Sequence, residues 1–238
     1  MSEFYLPKHV HLSAVDGAAI LLDTRRGDYI GLTTEQATAL GSLVWRWPIE
    51  CQGRLAREIG EDVSKLAVRL LDRGLLTTDK SKGKDATPVS PESVQAPLVD
   101  MDETDRPSIA PHHGVYLVRA CIRSWFSLRL LSLESVLRDV ERRKASVART
   151  SGACSLETTR ELMRVFLHLR PFFYSHADRC LFDSIVLTHF LLHYGAPANL
   201  IIGVKVDPFS AHAWVQLGEY VLNGRRGYIE HFTPILSI

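Results

Sequence analysis

Long apolar runs are missing from this chain. None reaches the 18 or so residues that a membrane-spanning helix needs, and the polar start Met1-Ser2-Glu3 argues against a signal peptide. A surplus of either charge is missing as well. With 28 Lys and Arg against 27 Asp and Glu, the net charge is +1 over 238 residues. No global field therefore points to a nucleic-acid or membrane partner. Cysteine is scarce: Cys51, Cys121, Cys154 and Cys180, no two at C-x-x-C spacing. That spacing argues against a structural zinc or thioredoxin-like site. The expected compartment is the cytosol, where the thiols stay free. What is present is a globular composition, 46% hydrophobic and 23% charged, which excludes wholesale disorder.

Residues 80–108 stand apart. They hold four prolines, no aromatic residue and an acidic patch at Asp100, Asp102, Glu103 and Asp105, and they show neither helical nor strand period. The stretch reads as a linker between a domain at 1–79 and a domain at 109–238. The first opens with strand signals. Val10, Leu12 and Ala14 alternate with polar residues, and Ala18 to Leu22 follows the turn pair Asp16-Gly17. Arg25-Arg26-Gly27-Asp28 is a second turn, leading into Tyr29 to Leu32. Thr33 and Gln36 have capping-box spacing before a helix expected from Glu35 to Trp45. Further helices are expected at Gly53–Ile59 and Val63–Leu71, with Gly74 as a C′ residue. Strands followed by three helices have the shape of a small winged-helix-like module.

The second domain begins with helices: one around Val115 to Leu131, one from Ser132 to about Arg143, one from Ser155 to Leu169 and the apolar run 180–194. The period then changes to that of strands, at Leu200–Val206, His212–Leu217 and Glu219–Leu222. A helix carrying a Cys, followed by strands carrying a His, is an α+β layout.

Cys180 is the sharpest chemical candidate. Asp178 or Ser175 could cap the helix that follows, placing Cys180 in its first turn. There the helix dipole and free N–H groups stabilise a thiolate, and the same N–H groups can donate to an oxyanion. A buried Cys in an apolar helix is the plain alternative. His212 lies between small residues in Ser210-Ala211-His212-Ala213-Trp214-Val215. Packed against the helix start, its imidazole could take the thiol proton and return it to a leaving amine. Asn223 is the first choice for a third group orienting the ring, with Glu219 and Glu230 as fallbacks.

Three separated blocks then carry a resemblance: Cys180-Leu181, Leu200-Ile201-Ile202-Gly203-Val204, and Pro208-Phe209-Ser210-Ala211-His212-Ala213-Trp214-Val215. Their order over about 60 residues resembles the C-terminal domain of lasso-peptide maturation leader peptidases, the microcin-processing B protein family. The resemblance implies a transglutaminase-like, papain-related cysteine protease fold, with Cys180 as nucleophile and His212 as general base and acid. The chain departs from the family pattern at Gln216, usually Glu, and at Gly224, where the triad Asp often follows Asn223. Leu21 to Tyr29 with Leu32-Thr33 is similar to the strand–turn–strand of a PqqD-like recognition element. Such elements bind a leader peptide by adding it as a strand to an exposed sheet edge. The resemblance implies that Tyr29, Ile30 and Leu32, with Val63, Leu66 and Leu70 on a helix, contact the leader, although plain core packing is the alternative for each.

The expected activity is therefore that of a cysteine endopeptidase, freeing the core of a ribosomally made precursor from its leader. The implied partners are the precursor peptide and a separate asparagine-synthetase-like ring-closing enzyme; no nucleic acid or membrane is expected. The family is linked to ATP-dependent cleavage, but the chain has no Walker-type glycine loop. The alternatives are a transglutaminase-like acyl transferase using the same thiolate, and a non-catalytic leader-binding adaptor. The basic run Arg119, Arg123, Arg129, Arg138, Arg142, Arg143 and Lys144 reads as a solvated helix face. His112, His113, His189 and His193 do not form a convincing metal set.

Overall fold

The computed structural model describes residues 4–15, 17–49, 60–94, 96–99, 107–150, 154–175 and 179–238. It is a mixed α/β chain in two compact units. One holds Met1–Ser90, Val204–Ser210 and Thr233–Leu236; the other holds Pro91–Gly203, Ala211–Phe232 and Ser237–Ile238. Among the described residues no helix is long and apolar enough to cross a membrane.

In the first unit, β1 (Leu6–Pro7) precedes an antiparallel sheet of β2 (Val10–Val15), β3 (Ala18–Asp23) and β4 (Asp28–Leu32), with β3 central. Gly17 and Gly27, at φ +80 and +78, stand in the two connecting turns, a backbone region that side chains with a Cβ rarely adopt. Asp23 closes the second turn, its carboxylate accepting from the N–H groups of Arg25 and Arg26. The capping box at Thr33 and Gln36 forms as expected and opens α1 (Thr34–Leu40). This helix stops short of Trp45, because Val44 is drawn into a bridge with Phe4 and Arg46 turns to φ +55. In α2 (Gly60–Asp72), Leu66, Ala67 and Leu70 face the core, and Gly74 at φ +73 lets Leu75 N–H return to the carbonyl of Leu70. The expected helix at Gly53–Ile59 lies outside the described residues.

Described residues within 80–108 form short pairings and buried contacts. Strand β5 (Gly83–Lys84) pairs with β1, strand β6 (Ala96–Pro97) pairs parallel with β9 (Tyr220–Val221), and Ala86, Leu98 and Val99 are buried. Two-residue edge pairings need no repeating pattern, so the sequence shows no period there.

The second unit is built on α3 (Pro111–Leu130), α4 (Leu133–Thr150), α5 (Leu156–Leu169), a 3₁₀ turn at Arg170–Phe172 and α6 (Cys180–His193). Helix α4 runs past its expected end near Arg143, through Lys, Ala and Arg, which favour helix. Ser155 is the N-cap of α5, accepting from Thr158 N–H at 3.1 Å. Helix α6 is mostly apolar and is buried from Asp183 to Leu192. It is the central helix, packed by α3, α4 and α5. Strands β7 (Asn199–Lys205), β8 (Ser210–Leu217) and β9, the short helix α7 (Arg226–Ile229) and β10 (Thr233–Ser237) follow. The sheet order is β10-β7-β8-β9-β6. Strand β10 was not anticipated from the sequence.

Gly203 in β7 is required by a neighbour. A Cβ there would lie 2.8 Å from the far edge of the Trp214 indole and 3.0 Å from Cβ of Phe232. Trp214 is 2% exposed, and its indole N–H is tied to Gln216. Gly203→Ala should therefore lower stability by about 1–3 kcal/mol, the usual cost of overpacking; equilibrium urea unfolding against the parent measures it.

Candidate active site

Cys180 occupies the first position of α6, after Arg179 as N-cap. Arg179 makes no side-chain capping bond, and Asp178 lies outside the described residues. The first backbone bond of the helix runs from Asp183 N–H to the Arg179 carbonyl at 2.9 Å. The N–H groups of Cys180, Leu181 and Phe182 precede that bond, so they belong to the donors that a helix start leaves without an intrahelical acceptor. Cys180 is a half-buried free thiol. At Cys121, burial first, then the charge of Asp183, pushes the thiol up to about 11, which suppresses the thiolate at neutral pH.

His212 lies on β8. Its ring stacks near the plane of Trp214 and meets Tyr228 edge-on, with centroids 6.3 and 5.0 Å apart; Phe232 lies at 5.4 Å. Packing of three aromatic rings limits its orientation. Burial moves its pKa below 6.5, and the negative charge of Asp183 opposes that shift. The neutral imidazole, the form able to accept a proton, is therefore favoured.

One hydrogen bond ties these two elements together. Ser184 Oγ donates to the carbonyl of Ala213 at 3.0 Å, and both residues are buried. Ser184 lies four residues after Cys180 on the same face of α6, and Ala213 adjoins His212 in β8. The strand bearing the imidazole is thus fastened one turn into the helix that begins at the thiol.

Asn223 supports this joint from the other side. Its Oδ1 accepts from Val215 N–H at 2.7 Å, and its Nδ2 donates to Asp183 Oδ2 at 2.9 Å and Ser184 Oγ at 3.0 Å. None of its described bonds goes to His212, so its amide serves the helix–strand joint. Glu230 is exposed and pairs with Arg226 at 2.6 Å, and Glu219 sits half-buried after β8. At Gly224, a Cβ would run into the Cδ1 methyl of Ile229.

The residue that sequence reasoning missed is Asp183, 3% exposed in the first turn of α6. Arg170 Nη1 reaches its two oxygens at 3.3 and 3.2 Å, Tyr174 hydroxyl donates at 2.8 Å, and Asn223 adds its amide. The Tyr174 hydroxyl is held protonated, by burial first and then by that carboxylate. A signal was available: Asp183 is the only carboxylate in the apolar run 180–194. Its partners, 40 residues away in one case, were not readable.

The departure at Gln216 has a local reason. Its Oε1 accepts from the Trp214 indole N–H at 3.2 Å, while its Nε2 donates to the carbonyls of Glu92 and Gly218 at 2.7 and 2.8 Å. A carboxylate cannot donate to two carbonyls.

Of the residues expected to contact a leader, Tyr29 and Ile30 are half-buried on β4, an edge of the three-stranded sheet. Tyr29 meets Phe209 edge-on at 5.6 Å. Leu32, Leu66 and Leu70 instead pack in the core of their unit. There the apolar periods of strand and helix serve burial, and these three side chains support the surface from beneath. The Val63 side chain lies outside the described residues. Among the described residues, no group of three or more His, Cys, Asp or Glu gathers as a metal site.

Residues 120–237 match the model of the family described as the transglutaminase-like superfamily. This part of the chain is a transglutaminase-like domain, of a superfamily whose members are typically cysteine-dependent enzymes, compatible with protease or acyltransferase chemistry. Neither curated proteins nor solved structures yield a match to the chain.

Gln216→Glu should cost about 1–3 kcal/mol at neutral pH, the penalty of a buried carboxylate facing unpaired acceptors. Such a carboxyl has a raised pKa in the folded state. Its penalty therefore shrinks as pH falls towards about 4, where the unfolded chain also binds the proton. Urea unfolding of both proteins across that range checks the size and the sign.

Proposed function

We propose that this protein is a cysteine endopeptidase that cuts the leader from a ribosomally made lasso-peptide precursor. The observation that carries the chemistry is the Ser184–Ala213 bond, which joins the helix beginning at Cys180 to the strand bearing His212. The transglutaminase-like domain over residues 120–237 supports it.

In this mechanism His212 accepts the proton of the Cys180 thiol, and the sulfur attacks the scissile carbonyl. The N–H groups at the start of α6 stabilise the developing oxyanion. His212 then passes its proton to the leaving amine of the core peptide. Water, activated by the same imidazole, resolves the acyl-enzyme and releases the leader as a free acid. Asp183 acts from behind the pair, keeping the His212 ring more basic than burial alone would leave it. It occupies the electrostatic part that a triad carboxylate plays elsewhere, which Gly224 cannot supply. No step needs a nucleotide.

Residues 1–79 are the leader-binding module in this reading. Edge strand β4, with Tyr29 and Ile30, is the surface to which an extended leader would add main-chain hydrogen bonds. Joining capture and cutting in one chain raises the effective concentration of the scissile bond, so a weak subsite suffices. The freed core amine then passes to an asparagine-synthetase-like ring-closing enzyme.

Cys180→Ala should abolish cleavage of a cognate precursor while leaving leader affinity unchanged; mass spectrometry and fluorescence anisotropy read the two separately. Free leader acid marks hydrolysis, whereas a cross-linked product marks acyl transfer. Retained cleavage in the Ala variant sinks the mechanism. The acid limb of kcat/KM should lie below pH 6.5, because burial lowers the His212 pKa. Asp183→Asn should move that limb to lower pH still, by removing the charge that raises it. Circular dichroism establishes whether this variant is folded, since Arg170 loses its buried partner.

A further inference from the structure

A cavity of about 610 Å³ opens between α3, α4 and α6 in the second unit, lined by residues none of which takes part in the proposed cleavage. Its volume is in the range of small-molecule sites. Its lining is polarised. At one end stand Arg119 and Arg123 of α3, Arg143 of α4 and His189 of α6. At the other stand Phe126, Leu130 and Leu131, with Leu130 roughly 16 Å further along the helix axis than Arg119 at 1.5 Å per residue.

The cationic end is not neutralised. Asp139 Oδ2 receives Arg123 at 2.6 Å and Arg143 at 3.1 Å, and Arg142, outside the cavity lining, approaches Oδ1 at 4.0 Å, so one carboxylate serves three guanidinium groups. Arg119 has no ion pair among the described residues. Three positive charges less one negative leave a surplus of two.

His189 lines the same end of the cavity. It is 8% exposed, and its Nδ1 has no hydrogen-bond partner among the described residues. Burial first, then Arg123 and Arg143, hold its pKa down to about 4, so the ring is neutral at pH 7. A neutral imidazole carries one N–H, and a buried polar nitrogen without a partner is costly. Seated beside the arginines, an anionic head group would lie against this neutral ring, which lines the same cavity. The open apolar end would take a hydrocarbon body: Phe126, Leu130 and Leu131 are 51%, 72% and 53% exposed.

We propose that this cavity binds an amphiphilic carboxylate, its head group at Arg119, Arg123 and His189 and its apolar tail along Phe126 and Leu130. The inference is independent of the peptidase reading, since it uses neither Cys180 nor His212.

Calorimetric titration of the full chain with monomeric decanoate tests it, against acetate for the head alone and decanol for the tail alone. Decanoate should bind one to one, at least about tenfold more tightly than either fragment, the factor expected of one added charge-assisted hydrogen bond. Affinity should rise from hexanoate through octanoate to decanoate. Arg119→Met, at an exposed position, should weaken decanoate by about tenfold and leave decanol unchanged. The His189 ring nitrogen resonances should move on titration in the parent. Decanoate binding no tighter than acetate would overturn the proposal, as would equal affinity in a folded Arg119→Met. Capture by phosphatidylglycerol vesicles with no binding of decanoate would overturn it in favour of a lipid surface.

Discussion

The site depends on one buried carboxylate. Asp183 sits where α6 begins, with Arg170 from the preceding 3₁₀ turn, Tyr174 from the segment after it and Asn223 from the chain beyond β9 all directed at its oxygens. A buried charge is expensive unless paired and fully hydrogen-bonded, and here four donor contacts from three side chains meet it. Three separated pieces of chain are thereby held at the first turn of one helix. A pair of this kind contributes little net stability compared with apolar residues of the same shape. Its loss on one side only is severe, because the remaining charge stays buried.

From that centre the order spreads by short polar links. Asn223 connects the carboxylate to Ser184, Ser184 connects the helix to the carbonyl of Ala213, and Asn223 also holds Val215 of the same strand. The His212 ring is then oriented by packing. Trp214, Tyr228 and Phe232 surround it, and the Trp214 indole in turn requires the bare α-carbon of Gly203. Gln216 completes this arrangement by taking the indole N–H and giving its own two protons to carbonyls. Departures from the resembled pattern at positions 216 and 224 thus coincide with local packing and hydrogen bonding that suit the residues present.

Much of the local structure was legible because it is decided by near neighbours. The capping box at Thr33 and Gln36, the turns at Gly17 and Gly27 and the helix end at Gly74 rest on backbone groups within a few residues. So does the position of Cys180 in a first turn. The short pairings within 80–108 were not legible, for the opposite reason. The strands there are two residues long and exist only through partners at Leu6–Pro7 and Tyr220–Val221. Leu32, Leu66 and Leu70 show the same limit, since an apolar period cannot tell a core face from a binding face.

The amino-acid order alone determined most of the longer helices and strands, that a thiol opens an apolar helix and that an imidazole sits among small residues in a later strand. These follow from spacing, turn chemistry and capping, all short-range effects. The tertiary structure alone decided that Asp183 meets Arg170, Tyr174 and Asn223, and that three arginines line one cavity, two of them paired with Asp139. Such meetings depend on which faces the packed elements turn towards one another. In a low-dielectric interior that juxtaposition sets the cost and the effect of every charge.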